Sequence, residues 1–225
     1  MMTVGALIPA YNEAGGIADL VAAVSRHVSL VVVVDDGSTD GTGERAAAAG
    51  ATCLRLEPNQ GKGAALRLAV EWAKKRDLTH VLFMDGDGQH LPDDIPVLLA
   101  RAEETDADLI IGARTFDRAR MPASRYFSNT VGSRLTSRLV RRTILDSQSG
   151  FRLARLECLR GVNLRSRRYE FEMEVLVKLC LRGATVGHAP ITMVYNGGRA
   201  RSKMHPVRDT VRICLWSMAF RYLRL

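Results

Sequence analysis

The strongest constraint on the fold is a rhythm. Short apolar runs at Val4–Ile8, Leu30–Val34, Thr52–Leu56, Val81–Met84 and Leu109–Ile111 recur along the first half of the chain, each closed by turn residues. Amphipathic stretches separate most of them, so the pattern reads βαβαβ. The run Val31-Val32-Val33-Val34 is apolar on both faces, which suits a parallel strand covered by helices on each side. The expectation is an α/β fold with a doubly wound, mostly parallel sheet. A chain of 225 residues can bury one sizeable core and requires no second.

Beyond residue 115 the rhythm changes. An Arg-rich stretch leads into a predicted helix from Ala123 to about Arg141, followed by the polar segment Asp146-Ser147-Gln148-Ser149-Gly150-Phe151-Arg152. A second helix is predicted over Tyr169–Leu181, short strands over Thr185–Ala189 and Thr192–Tyr195, a glycine-rich loop over Asn196–Pro206 and a terminal helix over Val207–Leu223. Residues 1–206 therefore form the expected domain. Residues 207–225 form an amphipathic extension in which Arg208, Arg212, Arg221 and Arg224 punctuate Val211, Ile213, Leu215, Trp216, Met218, Phe220 and Leu223. That pattern suits either a membrane surface or the flank of the domain.

In open α/β sheets ligands sit outside the carboxyl ends of the strands, so the residues just after each apolar run are where chemistry belongs. They are Pro9, Tyr11, Asn12 and Glu13 after the first run, Asp35 to Thr42 after the second, Asp85-Gly86-Asp87-Gly88-Gln89-His90 after the fourth and Gly112-Ala113-Arg114 after the fifth. Asp85 and Asp87, one glycine apart at a strand end, can place hard oxygens around one divalent cation that also binds phosphates, with Gln89 able to add a neutral oxygen. Read blandly, such a turn only caps backbone N–H groups. The segment Asp35–Thr42 also has two readings: Thr39 or Asp40 can cap a helix, whereas a doubled aspartate suits hydrogen bonds from a base or ribose. Asn59-Gln60-Gly61-Lys62-Gly63 lacks the spacing of a nucleotide-binding P-loop, although the helix after it can favour anions. The histidines share no ligand spacing, so no zinc site is expected, and Trp72, Phe151 and Phe171 read as core.

A net charge of +8 implies attraction to polyanions, and the excess lies mainly in the second half, with Arg114, Arg118, Arg120, Arg125, Arg134, Arg138, Arg141 and Arg142 in series. No nucleic-acid motif accompanies it, so nucleic acid is not an expected partner. The four cysteines lack CxxC spacing and are expected as buried thiols. The N-terminal residues lack the features of a signal peptide, and no stretch approaches the roughly 20 apolar residues of a membrane-spanning helix. The expected location is cytoplasmic, with peripheral contact at the membrane.

Taken in order, Pro9-Ala10-Tyr11-Asn12-Glu13, Asp35-Asp36-Gly37-Ser38-Thr39-Asp40-Gly41-Thr42, Asn59-Gln60-Gly61-Lys62-Gly63, Asp85-Gly86-Asp87-Gly88-Gln89-His90, Gly112-Ala113-Arg114 and Ser149-Gly150-Phe151-Arg152 make the chain resemble family 2 glycosyltransferases over roughly residues 4–206. Within that family it is similar to the dolichyl- or polyprenyl-phosphate sugar synthase branch. The resemblance implies a GT-A fold, a GDP- or UDP-sugar donor, a Mg²⁺ or Mn²⁺ ion, inversion at the anomeric carbon and a polyprenyl-phosphate acceptor. It also implies roles. Pro9, Tyr11, Glu13, Val34 and Asp36 fall at positions that hold the nucleoside; Asp85, Asp87 and Gln89 at metal and diphosphate positions; Arg114, Arg125 and Ser128 at positions near the lipid phosphate. Ser202-Lys203 matches a loop over the donor phosphates, but the arginine that the family places six residues before the lysine is Gly197 here, with Arg199 and Arg201 nearby.

The reaction so implied is in-line displacement at the anomeric carbon, with a metal held by Asp85 and Asp87 neutralising the departing diphosphate. A phosphate acceptor is already anionic and needs cations such as Arg114 and Arg125 to position it rather than a strong base. Transfer to a hydroxyl would instead require a base such as Asp146 or Glu172. A noncatalytic nucleotide-sugar binder is a third reading.

Overall fold

The computed structural model describes residues 2–114 and 123–192, with 123–129 described by backbone alone. The expected loop at 196–206 with Arg201 and Lys203, the expected helix at 207–225, and residues 193–195 of the last expected strand lie outside the described residues.

Seven strands form one sheet: β1 (Val4–Ala10), β2 (Leu30–Asp35), β3 (Thr52–Arg55), β4 (His80–Phe83), β5 (Leu109–Arg114), β6 (Arg152–Arg155) and β7 (Val186–Ile191). Their order is β3-β2-β1-β4-β6-β5-β7. Helices α1 (Ile17–Val24), α2 (Thr42–Ala48), α3 (Lys62–Ala73), α4 (Ile95–Thr105), α5 (Ala123–Val140), α6 (Leu156–Leu159) and α7 (Phe171–Leu181) connect them. The doubly wound, mostly parallel expectation holds. β3, β2, β1 and β4 run parallel, β5 and β7 run parallel to each other, and β6 alone among these strands lies antiparallel to both its neighbours.

The valine run shows why the sheet is covered twice. Val32 and Val34 enter one core with Leu7, Leu66, Val70 and Phe171, while Val31 and Val33 enter the other with Ile8, Ile17, Val21 and Leu98. A strand with period-two geometry and four consecutive valines must feed both faces. Each fully buried valine contributes about 1.5–3 kcal/mol relative to exposure. On the first face, Phe83 of β4 meets Phe171 of α7 edge-on at 5.6 Å between ring centroids.

Two expectations change. The sequence did not mark Arg152–Arg155 as a strand, yet it is β6; and the described end of the chain holds one strand that continues through Pro190, rather than a break after Ala189. Proline is tolerated there because β7 is the edge strand of the sheet. The three described cysteines are free thiols as expected, but Cys53 and Cys158 are half-buried and only Cys180 of the three is buried.

Candidate active site

Because β1, β2, β4 and β5 point the same way, their carboxyl ends meet at one sheet edge. The reversal of β6 brings its amino end, with Ser149 and Gly150, to that same edge. The acidic turns and Arg114 are thereby gathered.

The two aspartates after β2 have separate tasks. Asp35 is wholly buried; its Oδ1 accepts the Ser38 N–H at 2.9 Å and its Oδ2 pairs with Arg55 Nη1 at 3.1 Å. Asp36 accepts the backbone N–H groups of Gln60 and Gly61, each at 2.8 Å, and the Asn59 amide donates to the Asp36 carbonyl at 2.9 Å. In this arrangement the Asp36 carboxylate fixes the loop before α3. Neither Thr39 nor Asp40 is the residue next to the first turn of α2; Gly41 takes that place with φ of 84°, and Asp40 Oδ1 reaches past it to the Thr42 N–H at 3.1 Å. Asn12, Ser38, Thr39 and Thr42 then lace the first two loops together: Asn12 N–H donates to Ser38 Oγ at 2.9 Å, Thr39 N–H to Asn12 Oδ1 at 3.0 Å and Glu13 N–H to Thr42 Oγ1 at 2.9 Å. Tyr11 is exposed on this rim, and Pro9 and Glu13 are half-buried. Val34 is wholly buried, its side chain packed in the core with Leu7, so any ligand contact there must come from its backbone.

Asp85 and Asp87 follow β4. Gly86 between them is pressed against β1, where an added Cβ would stand 2.9 Å from the Pro9 carbonyl oxygen. Gln89 donates to Asp87 from its backbone N–H at 3.1 Å and from its side-chain Nε2 at 2.9 Å, so it orients Asp87 through its nitrogens. Burial, then the neighbouring Asp85 carboxylate, raise the Asp87 pKa. For Asp85 burial acts upward too, but Lys62 and then His90 outweigh it and the pKa is lowered. His90 is buried, stacked on Phe151 at 5.1 Å, and pushed down to about 4 chiefly by burial. Its Nδ1 faces the Asp85 N–H at 3.4 Å, and a neutral ring can accept there.

Two mutually repelling carboxylates fit a hard divalent cation that would relieve the repulsion. Among the described residues no three His, Cys, Asp or Glu side chains gather to hold an ion. The remaining coordination positions would fall to phosphates and water, which is how Mg²⁺ is usually held.

The sequence marks Lys62 only as part of a glycine-rich motif and Glu172 only as a base for a hydroxyl acceptor; the structure brings both to the acidic turn. Lys62 Nζ lies 2.5 Å from Asp85 Oδ1 and 2.5 Å from Glu172 Oε1. A signal was present: a lysine flanked by glycines as the first residue of a helix sits against the helix dipole. At Arg114 the guanidinium grips the buried Asp146 twice, Nε to Oδ2 at 2.5 Å and Nη2 to Oδ1 at 2.8 Å. Arg114 is still close enough to Asp85 to help lower its pKa. Both acids that could serve a hydroxyl acceptor as base, Asp146 and Glu172, are thus engaged by cations. Arg125 and Ser128 lie on α5, whose backbone follows β5; no more is described of them.

Arg152, at the start of β6, has 1% of its surface exposed and donates to the carbonyls of Ser149 (2.7 Å), Glu172 (2.5 Å) and Ser147 (2.8 Å). It ties the polar segment before β6 to the start of α7.

A doubly wound sheet with one reversed strand and paired aspartates at the end of β4 defines the GT-A class of transferase fold. The chain belongs to glycosyl transferase family 2, whose profile it matches over residues 6–161, and it is a glycosyltransferase. It is 29% identical over 236 residues to the undecaprenyl-phosphate mannosyltransferase of Micrococcus luteus, covering 98% of this chain and 96% of that one. It is 30% identical over 200 residues to the polyprenol monophosphomannose synthase of Mycolicibacterium smegmatis, covering 83% and 75%. Among solved structures it resembles the glucosyl-3-phosphoglycerate synthase of Mycobacterium tuberculosis in complex with Mn²⁺ and UDP-glucose, with a TM-score of 0.69, 20% identity, and coverage of 98% and 79%.

Proposed function

We propose that the chain transfers a sugar from a GDP- or UDP-sugar to a polyprenyl phosphate, with inversion and with help from Mg²⁺ or Mn²⁺. The observation that carries this reading is the meeting of Asp85, Asp87, Lys62 and Arg114 at one sheet edge, in a chain whose relatives include enzymes named for polyprenyl-phosphate acceptors. Asp85 and Asp87 hold the cation and Gln89 orients Asp87. Such an ion supplies charge neutralisation for a departing diphosphate. We assign Pro9, Tyr11, Glu13, Asp36 and the backbone at Val34 to the nucleoside, and Arg201 and Lys203 to the donor phosphates.

On the other side, Arg114 and Arg125 position the acceptor phosphate, with Ser128 beside them. Guanidinium suits phosphate oxygens, and Asp146 holds the Arg114 fork in one orientation. The engagement of Asp146 and Glu172 by cations favours an acceptor that needs no general base. Among the described residues no helix is long and apolar enough to cross a membrane; we assign residues 207–225 to peripheral contact with the lipid surface where the acceptor resides.

The test is a screen of radiolabelled GDP- and UDP-sugars with Mn²⁺ against a polyprenyl phosphate, the corresponding free prenol and simple sugars. Label should pass into organic solvent with the prenyl phosphate alone. Efficient transfer to a sugar hydroxyl, with prenyl phosphate inert, overturns the acceptor and leaves the glycosyltransferase standing.

A further inference from the structure

The placement of Lys62 is energetically odd. It is the first residue of α3, a helix of 12 residues with no acidic residue in its first turn, so its ammonium stands at the positive end of the helix dipole. It is also largely buried, with 19% of its side chain exposed. Two carboxylates offset these costs: Asp85 from the end of β4 and Glu172 from the first turn of α7. The surroundings are shaped for the contact. A Cβ on Gly150 would come within 3.1 Å of Asp85 Oδ2 and 3.2 Å of Lys62 Nζ. Gly61, with φ of 97°, and Gly63 pack against the backbone of Arg167 and Arg168, where an added Cβ would lie 2.5 Å and 2.7 Å from a carbonyl oxygen. Ala64 N–H donates to the Arg167 carbonyl at 3.2 Å, fixing the start of α3.

We infer that Lys62 is a built-in counter-cation of the Asp85/Asp87 pair: it occupies one Asp85 oxygen in the metal-free protein, competes with a divalent ion for that carboxylate, and has Glu172 as the alternative partner when the ion arrives. Lys62 is thus a positioning residue. Its competition keeps affinity for the bare ion low, so that tight binding awaits the phosphate oxygens of a nucleotide. Glu172 is suited to receive the ammonium because its Oε1, on α7, already stands 2.5 Å from Nζ. The inference rests on the proposed metal role of Asp85 and Asp87.

The two neighbours of Asp85 predict opposite signs. Lys62→Met removes the competitor, so Mn²⁺ titrated into nucleotide-free protein should bind at least about tenfold more tightly than to the wild type. The metal-free protein should melt at a lower temperature, since Asp85 and Glu172 then both lose their ammonium partner, and Mn²⁺ should restore more of that loss than it adds to the wild type. Glu172→Gln removes the alternative partner, commits Lys62 to Asp85 and should weaken Mn²⁺ binding severalfold. Lys62→Arg should return both readouts toward the wild type. Unchanged or weaker Mn²⁺ binding by Lys62→Met overturns the counter-cation role, as does tighter binding by Glu172→Gln, a variant that keeps the ammonium. Equal Mn²⁺ binding by wild type and Asp85→Asn/Asp87→Asn overturns the metal reading itself, and the counter-cation with it.

Discussion

The two halves of the sheet place their chemistry by different rules. In the half built from β1, β2 and β4, each strand runs toward the site and its functional residues follow it directly, as Asp36 follows β2 and Asp85 follows β4. In the half built from β6, β5 and β7 that rule holds for Arg114 at the end of β5 but inverts at β6, whose polar segment comes before the strand. The first half presents carboxylates held by backbone N–H groups and by Lys62. The second presents the Arg114 guanidinium held by Asp146, with the buried Arg152 bracing the segment before β6. Under the proposed function the first half is the donor side, suited to a metal diphosphate, and the second the acceptor side, suited to an anion.

The largest effect that should separate the halves is on the donor side. Asp85→Asn/Asp87→Asn should lower transfer by about a thousandfold or more, because loss of the ion removes charge stabilisation from the departing diphosphate. Circular dichroism should show a folded domain. Substantial activity in the double variant would remove the distinction between the halves.

Next is the brace of the acceptor side. Arg152→Met would leave the carbonyls of Ser147, Ser149 and Glu172 without their buried donor. Leaving such groups unsatisfied costs about 1–3 kcal/mol each, and partial relaxation sets the expected loss at about 3 kcal/mol. Denaturant unfolding measures it, and an unchanged midpoint would show that the segment before β6 does not depend on this arginine.

Arg114 sharpens the comparison further. Arg114→Ala alone strands a buried carboxylate, so the informative variant is Arg114→Ala/Asp146→Asn. It should lose about 1.5–3 kcal/mol of transition-state binding, roughly 10- to 150-fold in kcat/KM for the prenyl phosphate, with nucleotide binding nearly unchanged. An equal loss in nucleotide affinity would place Arg114 on the donor side.

Much of this was legible in the sequence, and unevenly so. The parallel half was readable because Val31–Val34 and its companion runs declare strands buried on both faces, and because turns such as Asp85-Gly86-Asp87 stand where the strands stop. β6 was not, because Arg152-Leu153-Ala154-Arg155 is charged at both ends and its buried arginine looks like a surface residue until three carbonyls are seen around it. Asp36 reads as a nucleoside contact, and in this structure its carboxylate also holds the loop before α3, a second task that nothing in a single aspartate announces. Lys62 was visible as a motif residue, but its two partners come from 23 residues ahead at Asp85 and from Glu172 on α7, contacts that only the folded sheet creates.

The smallest expected effect is a pH dependence on the β7 side. Burial, above all, lowers the His188 pKa, and its Nε2 accepts the Leu145 N–H at 3.2 Å. The folded ring is held neutral while the unfolded one protonates near pH 6.5, so unfolding takes up a proton below that pH. This contribution is full above about pH 6.5 and is lost as pH falls toward the lowered folded value. Melting temperatures from pH 8 to pH 5 should therefore decline less in His188→Gln than in the wild type, and identical slopes would remove His188 from the account.

The proposed function requires that the β1, β2 and β4 edge hold a nucleotide diphosphate through a cation on Asp85 and Asp87. Calorimetric titration of the wild type with GDP and with UDP, with Mn²⁺ present and then with excess chelator, tests it directly. One of the two nucleotides should bind saturably with Mn²⁺, and chelation or Asp85→Asn/Asp87→Asn should weaken that binding at least tenfold. Binding that is equally tight in chelator, or untouched by the double substitution, would contradict it.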